Sequence, residues 1–149
     1  MATIRLTREF SFEMAHILDG YDGPCKNVHG HSYKLAVTVI GKPINDPKSP
    51  KFGMVMDFGQ LKAIVNKQVI NQFDHVLLVN SNSPILKLKD NKALGNIVGV
   101  NFQPTCENLL KHIANLIQKE LPKEVKLHHI KLHETANSFA EWYASDNKE

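Results

Sequence analysis

The sequence predicts an α+β fold, with its elements in the order ββααββ and an antiparallel hairpin at each end of the chain. Three observations predict it. Residues 4–16 and 33–40 alternate with the period-two pattern of half-buried strands. Two segments between them and the C-terminus carry apolar stripes at helical spacing, each opened by a capping residue. The last third returns to strand-like alternation, broken once by a turn.

The first strand places Ile4, Leu6, Phe10, Phe12 and Met14 on one face and Arg5, Thr7, Glu9, Ser11 and Glu13 on the other. Arg8 is the exception to the pattern. His16 has the parity of Phe12 and Met14, so it closes the strand on the apolar side. The connection Asp19-Gly20-Tyr21-Asp22-Gly23-Pro24 is turn chemistry and predicts a mobile loop, with Cys25 at its end. The second strand opens at His29-Gly30-His31 and continues through Tyr33, Leu35, Val37 and Val39, all apolar and all odd-numbered. His29 and His31 therefore share that core-facing side, with Gly30 between them.

Gly41 ends the strand, Lys42 to Gly53 reads as a surface loop, and Met54 to Met56 as a short extended piece. Asp57 is a good helix N-cap, and Gln60 three residues on matches a capping box. Phe58, Leu61, Val65, Val69 and Phe73 form the stripe of the first helix, which the pattern ends near Gln72. Residues 76–104 read as a long connection. Thr105 caps the second helix, whose stripe is Leu109, Leu110, Ile113, Leu116, Ile117 and Leu121, and Pro122 stops it. Ile130 and Leu132 then share a strand face with Glu134, and a last strand runs from Ser138 to Ala144.

A chain of 149 residues is one domain, 1–149, by the length prior. Its net charge of +3 suits an anionic small molecule, and no dense Lys/Arg cluster points to nucleic acid. No apolar run approaches a membrane span and no signal-peptide h-region opens the chain. Two cysteines, Cys25 and Cys106, make no disulfide framework. The expected setting is the cytoplasm, with no membrane partner.

If the first two strands pair as a hairpin, His16, His29 and His31 converge. Three imidazoles are a zinc-like donor set with one position open for water or substrate, the form of a catalytic site. A closed structural site with Cys25 as fourth ligand satisfies the same spacing. A structural site more usually draws on paired cysteines, whereas a thiol on a movable loop is placed to act on a substrate. Free thiols need help to ionise at neutral pH, and Asp74-His75 is a carboxylate–imidazole pair of the kind that gives it. The same pair also suits a plain helix C-terminus. Glu134 on an apolar face demands a partner. Either a salt bridge or a ring with adjacent amide N–H and amino groups, guanine-like or pterin, provides one. Glu107 lies in the first turn of the second helix, where the dipole favours a carboxylate.

His16, Cys25-x-x-x-His29-Gly-His31, Asp57-Phe58, Asp74-His75, Pro104-Thr105-x-Glu107-Asn108 and Glu134-Thr135, in this order on a chain of this length, resemble the 6-pyruvoyl-tetrahydropterin synthase superfamily. The resemblance spans nearly the whole chain. It implies the tunnelling fold, a ββααββ antiparallel sheet with two helices on one face, which joins with the sheets of other subunits into a barrel. It also implies a homo-oligomer, a hexamer made as a dimer of trimers, with active sites at subunit interfaces. By the same resemblance His16, His29 and His31 bind zinc, Cys25 is the general base with Asp74 and His75 as relay partners, and Glu134 anchors the pterin ring near Thr105 and Glu107. The substrate implied is 7,8-dihydroneopterin triphosphate. Only three residues separate Cys25 from His29, and the ending Glu134-Thr135-Ala136-Asn137-Ser138-Phe139-Ala140-Glu141 follows; both look like the 6-carboxy-tetrahydropterin synthase branch of queuosine (7-deazaguanine) biosynthesis. A 6-pyruvoyl product, and a non-catalytic pterin- or purine-binding module with structural zinc, are the alternatives.

Overall fold

Residues 1–148 are described by a computed structural model; Glu149 lies outside the described residues. Strand β1 (Ile4–His16) pairs antiparallel with β2 (His29–Gly41) along its whole length, from Ile4 opposite Gly41 to His16 opposite His29. The alternation dictates the consequence. Phe12 and Met14 of β1 and Tyr33, Leu35, Val37 and Val39 of β2 are all buried on one face, while Glu9, Ser11 and Glu13 face outward. At the far end β5 (Lys126–Thr135) continues the sheet antiparallel to β2, and β6 (Ser138–Tyr143) pairs antiparallel with β5.

The segment 76–104 is not the structureless connection the sequence suggested. It holds two short strands, β3 (Val76–Asn80) and β4 (Asn96–Val100), joined by 3₁₀ turns. β3 adds parallel to the last residues of β1, Met14 opposite Val76 and His16 opposite Leu78, and β4 adds parallel to β3. The sheet therefore has six strands in the order β4-β3-β1-β2-β5-β6 and is mixed rather than purely antiparallel. The physical reason is burial: Leu78 and Val79 are fully buried, and Val76 nearly so, which a surface loop would not allow. The α+β class and both terminal hairpins stand.

The first helix begins at Phe58, capped by Asp57, whose carboxylate accepts the Gly59 N–H at 2.6 Å. Gln60 does not complete the capping box. Its side chain accepts instead from Lys51 Nζ at 3.2 Å, which ties the helix to the preceding loop. The α-helical run Phe58–Val65 passes through a π turn, Asn66–Ile70, into a last turn, Asn71–Phe73. Leu61, Val65, Val69 and Phe73 of its stripe are buried; Phe58, at the open end, is exposed. Met54 to Met56 is not a strand, although Val55 and Met56 are buried.

The second helix (Cys106–Gln118) is capped by Thr105 Oγ1, which accepts the Asn108 N–H at 3.2 Å. Leu109, Leu110, Ile113, Ala114 and Ile117 are buried in the same cluster as the first helix and the inner sheet face. This one core fixes the end of the sheet where the C-terminus of β1, the N-terminus of β2 and the C-terminus of β5 meet. The histidines lie there.

Candidate metal centre and active site

Strand register brings the imidazoles together. His16 sits directly opposite His29, and Met14 opposite His31, so all three side chains leave the same face of adjacent strands. Their donor nitrogens lie within 4.8 Å of one another, and among the described residues this group consists of the three histidines alone. Cys25 is not part of it. His16 is fully buried, and His29 and His31 are partly exposed, which leaves the cluster a solvent side.

Backbone carbonyls set the ring orientations. Nδ1 of His16 lies 2.7 Å from Pro104 O, and Nδ1 of His29 lies 2.7 Å from Asn27 O. A carbonyl only accepts, so both Nδ1 atoms carry a proton, and in the neutral ring form each Nε2 presents a lone pair. Those two Nε2 atoms are 2.9 Å apart. Two lone pairs facing each other at that distance repel unless a cation takes them up. Burial holds the pKa of His16 below the ordinary 6.5, with the charge of His29 acting in the same direction, against the Pro104 hydrogen bond. Burial likewise lowers that of His31. Neutral imidazoles with fixed Nδ1–H groups are what a divalent metal requires of its ligands. The residues present fit zinc.

Glu134 comes to the same place from β5. Its Oε1 is 3.2 Å from Nε2 of His31 and 3.4 Å from Nε2 of His16. Neither contact is an aligned hydrogen bond with His31, whose Nε2 is buried without one. The pairing of β5 with β6 shifts register between His133 and Thr135, so Glu134 is the extra residue of a bulge. Glu134 has the strand parity of the buried Ile130 and Leu132, and the bulge leaves it outside the ladder pairing with β6.

Tyr33 lies beneath the cluster, stacked on Phe12 with centroids 5.1 Å apart, its ring 5.7 Å from that of His31. Its hydroxyl is buried without a partner, and burial first, then the charges of Glu134, Cys106 and Cys25, push its pKa up. Cys106 is a buried thiol pointing at Leu132 O, 3.6 Å away, and burial pushes it up to about 12. Such a thiol stays protonated. Cys25 is the more accessible of the two, in a 3₁₀ turn Pro24–Lys26 that is closed by the Leu18 N–H on Cys25 O at 3.0 Å.

The structure does not bring Asp74 and His75 to Cys25. Asp74 Oδ1 accepts the Glu13 N–H at 2.9 Å and lies 3.0 Å from His75 Nδ1, while the His75 N–H donates to Glu13 O at 2.6 Å. These bonds dock the turn on the edge of β1 and start the parallel pairing of β3. His75 is the one non-glycine residue with positive φ, 61°, among the described residues, and it is largely exposed. The Glu13 hydrogen bond, chiefly, holds the Asp74 carboxyl below its usual range. Thr105 spends its hydroxyl on the helix cap, and Glu107, in the first turn, is exposed.

Sequence reasoning missed the carbonyls of Pro104 and Asn27 and the Tyr33 hydroxyl. A carbonyl leaves no signature in residue type. Tyr33 was legible only as one more apolar position of β2.

The sequence profile described as 6-pyruvoyl tetrahydropterin synthase matches residues 5–145. A 6-carboxy-5,6,7,8-tetrahydropterin synthase of Haemophilus influenzae is 36% identical over 141 residues, covering 93% of this chain and 97% of that protein. One of Rickettsia felis is 30% identical over 141 residues, covering 93% and 99%. Among solved structures, the 6-pyruvoyl tetrahydropterin synthase of Caenorhabditis elegans matches with a TM-score of 0.69 at 23% identity, covering 97% of each chain. That of Plasmodium falciparum matches with a TM-score of 0.72 at 22% identity, covering 96% of this chain and 99% of the other. These two likenesses bear out the tunnelling fold. With its sequence matched almost from end to end, the chain belongs to the 6-pyruvoyl tetrahydropterin synthase family.

Proposed function

We propose that this protein is a zinc-dependent lyase that converts 7,8-dihydroneopterin triphosphate to 6-carboxy-5,6,7,8-tetrahydropterin, releasing triphosphate and acetaldehyde, on the route to queuosine and related 7-deazaguanines. The observation that carries this reading is the pair of histidines whose Nδ1–H groups are held by carbonyls and whose Nε2 atoms face each other at 2.9 Å, in a chain 36% identical to a protein named for that product. His16, His29 and His31 would hold zinc, which would supply a Lewis acid to polarise the side-chain hydroxyls and acidify the adjoining C–H.

The chain's own residues do the rest. Cys25, on the turn that precedes β2, takes the acidified proton as general base. Glu134 accepts the amide N–H and amino group of the pterin ring through two parallel hydrogen bonds, and the N-terminal turn of the second helix, with Thr105 and Glu107, borders the ring. Asp74 orients His75, and the imidazole relays charge to the thiol. A second copy of the chain supplies them to Cys25, in a homo-oligomer that is a hexamer of two trimers; the hydrogen bonds that Asp74 and His75 make to each other and to Glu13 support this reading.

Incubating zinc-loaded protein with 7,8-dihydroneopterin triphosphate and weighing the products by mass spectrometry tests the assignment. A 6-carboxy-tetrahydropterin with acetaldehyde is expected. A 6-pyruvoyl product moves the protein to the other branch with the same site residues. No turnover with zinc present rejects the lyase and leaves a pterin-binding module.

A further inference from the structure

Glu134 stands where two jobs conflict. Its Oε1 lies 3.2 Å and 3.4 Å from two of the three imidazole nitrogens that converge in the cluster. In a tetrahedral zinc site with bonds of ~2.0–2.1 Å, neighbouring donor atoms are separated by ~3.3–3.4 Å. The carboxylate oxygen therefore already keeps ligand-to-ligand spacing from His16 and His31. It stands against that edge of the triad, and it is not among the donor atoms that all lie within 4.8 Å of one another. The His31 Nε2 is buried without a hydrogen bond, so the carboxylate is not there as its acceptor.

We propose that Glu134 is an exchangeable ligand: in the substrate-free protein its carboxylate caps the metal held by His16, His29 and His31, and the ring edge of the pterin draws it off. This inference rests on the proposed pterin reading and names how that site is gated. One carboxylate cannot spend the same oxygen on a metal and on a ring amide. Ring binding therefore opens the coordination position that the substrate's side-chain hydroxyls need, and does so only when a ring with the right donor pair is present. Three features make the exchange feasible. Glu134 is a bulge residue and so is not locked by ladder hydrogen bonds on both sides. Its side chain is one-quarter exposed. The polar contacts of its carboxylate among the described residues are those with the two histidines.

Cobalt(II) substituted into the whole protein tests this, because its visible absorption reports coordination number and donor type without any turnover. Wild type and Glu134→Gln are compared without substrate, then with 7,8-dihydropterin, a ring that lacks the side-chain hydroxyls. Wild type is expected to change its spectrum when the ring is added. E134Q is expected to start from a different spectrum and to hold cobalt about 10- to 100-fold more weakly in chelator competition. Identical substrate-free spectra and equal affinities would overturn the proposal. Should E134Q fail to fold, wild type decides alone: a spectrum unmoved at saturating ring overturns it. The two readings fail separately. Loss of turnover with the spectral change intact removes the lyase and keeps the exchange; turnover with an unchanged cobalt spectrum does the reverse.

Discussion

His16 and His29 meet across one rung of the sheet, and the meeting is useful only because two carbonyls hold their outer nitrogens. Pro104 O and Asn27 O each accept an Nδ1–H, so the inner nitrogens are left as bare donors. Burial depresses the pKa of His16 and His31 below 6.5. In the metal-free protein, protons that the unfolded chain binds below about pH 6.5 are refused by the folded one, so stability falls as the pH drops through that value. The depressed Asp74 acts lower, below its ordinary 3.8, and does not confuse the window. Metal-stripped protein should accordingly unfold at lower urea at pH 5.5 than at pH 7.5, and equal midpoints would show that the histidines titrate normally. Cys25 stands outside the donor group. Its change to Ala should leave zinc content and melting temperature unaltered while turnover falls by about 10²- to 10⁴-fold. Loss of zinc together with melting would make Cys25 a ligand instead.

At the scale of elements, the second helix secures the site from behind. Its cap residue, Thr105, follows the carbonyl that holds His16, so the start of the helix and the orientation of a donor ring depend on one short segment. Replacing Thr105 with Ala removes the hydrogen bond to the Asn108 N–H and should cost about 1 kcal/mol in denaturant unfolding. A change inside a few tenths of a kcal/mol would show that the cap is dispensable. The other elements at the site are irregular by design of their hydrogen bonds. The β5 bulge leaves Glu134 without a ladder partner on β6, and the Asp74–His75 turn, with His75 in the left-handed region, pins β3 to β1. The capping-box expectation failed at Gln60 because a lysine on the preceding loop competes for its amide oxygen.

At the scale of the whole molecule, the sheet ends in two unpaired edges, β4 and β6. Natural sheets cover such edges or pair them with another chain. The proposed relay pair, Asp74–His75, makes no hydrogen bond or ion pair to Cys25 among the described residues. Association would meet both deficits, so light scattering of the metal-loaded protein should give six times the chain mass. A monomer with full activity would contradict the shared site. Among the described residues no helix is long and apolar enough to cross a membrane.

What the sequence determined by itself was whatever depends on near neighbours. Strand parity placed His16, His29 and His31 on one face, helical spacing marked both helices, and Asp57 and Thr105 announced their starts. All of these follow from backbone periodicity, which a few residues express. The tertiary structure decided the rest. β3 and β4 join the sheet through partners about sixty residues distant or by parallel pairing, which short apolar runs such as Val76-Leu77-Leu78-Val79 do not specify alone. The carbonyls behind the histidines and the docking of Asp74–His75 on Glu13 are set by how separate segments pack. Main-chain groups are the same in every residue, so only the fold determines which of them reach the site.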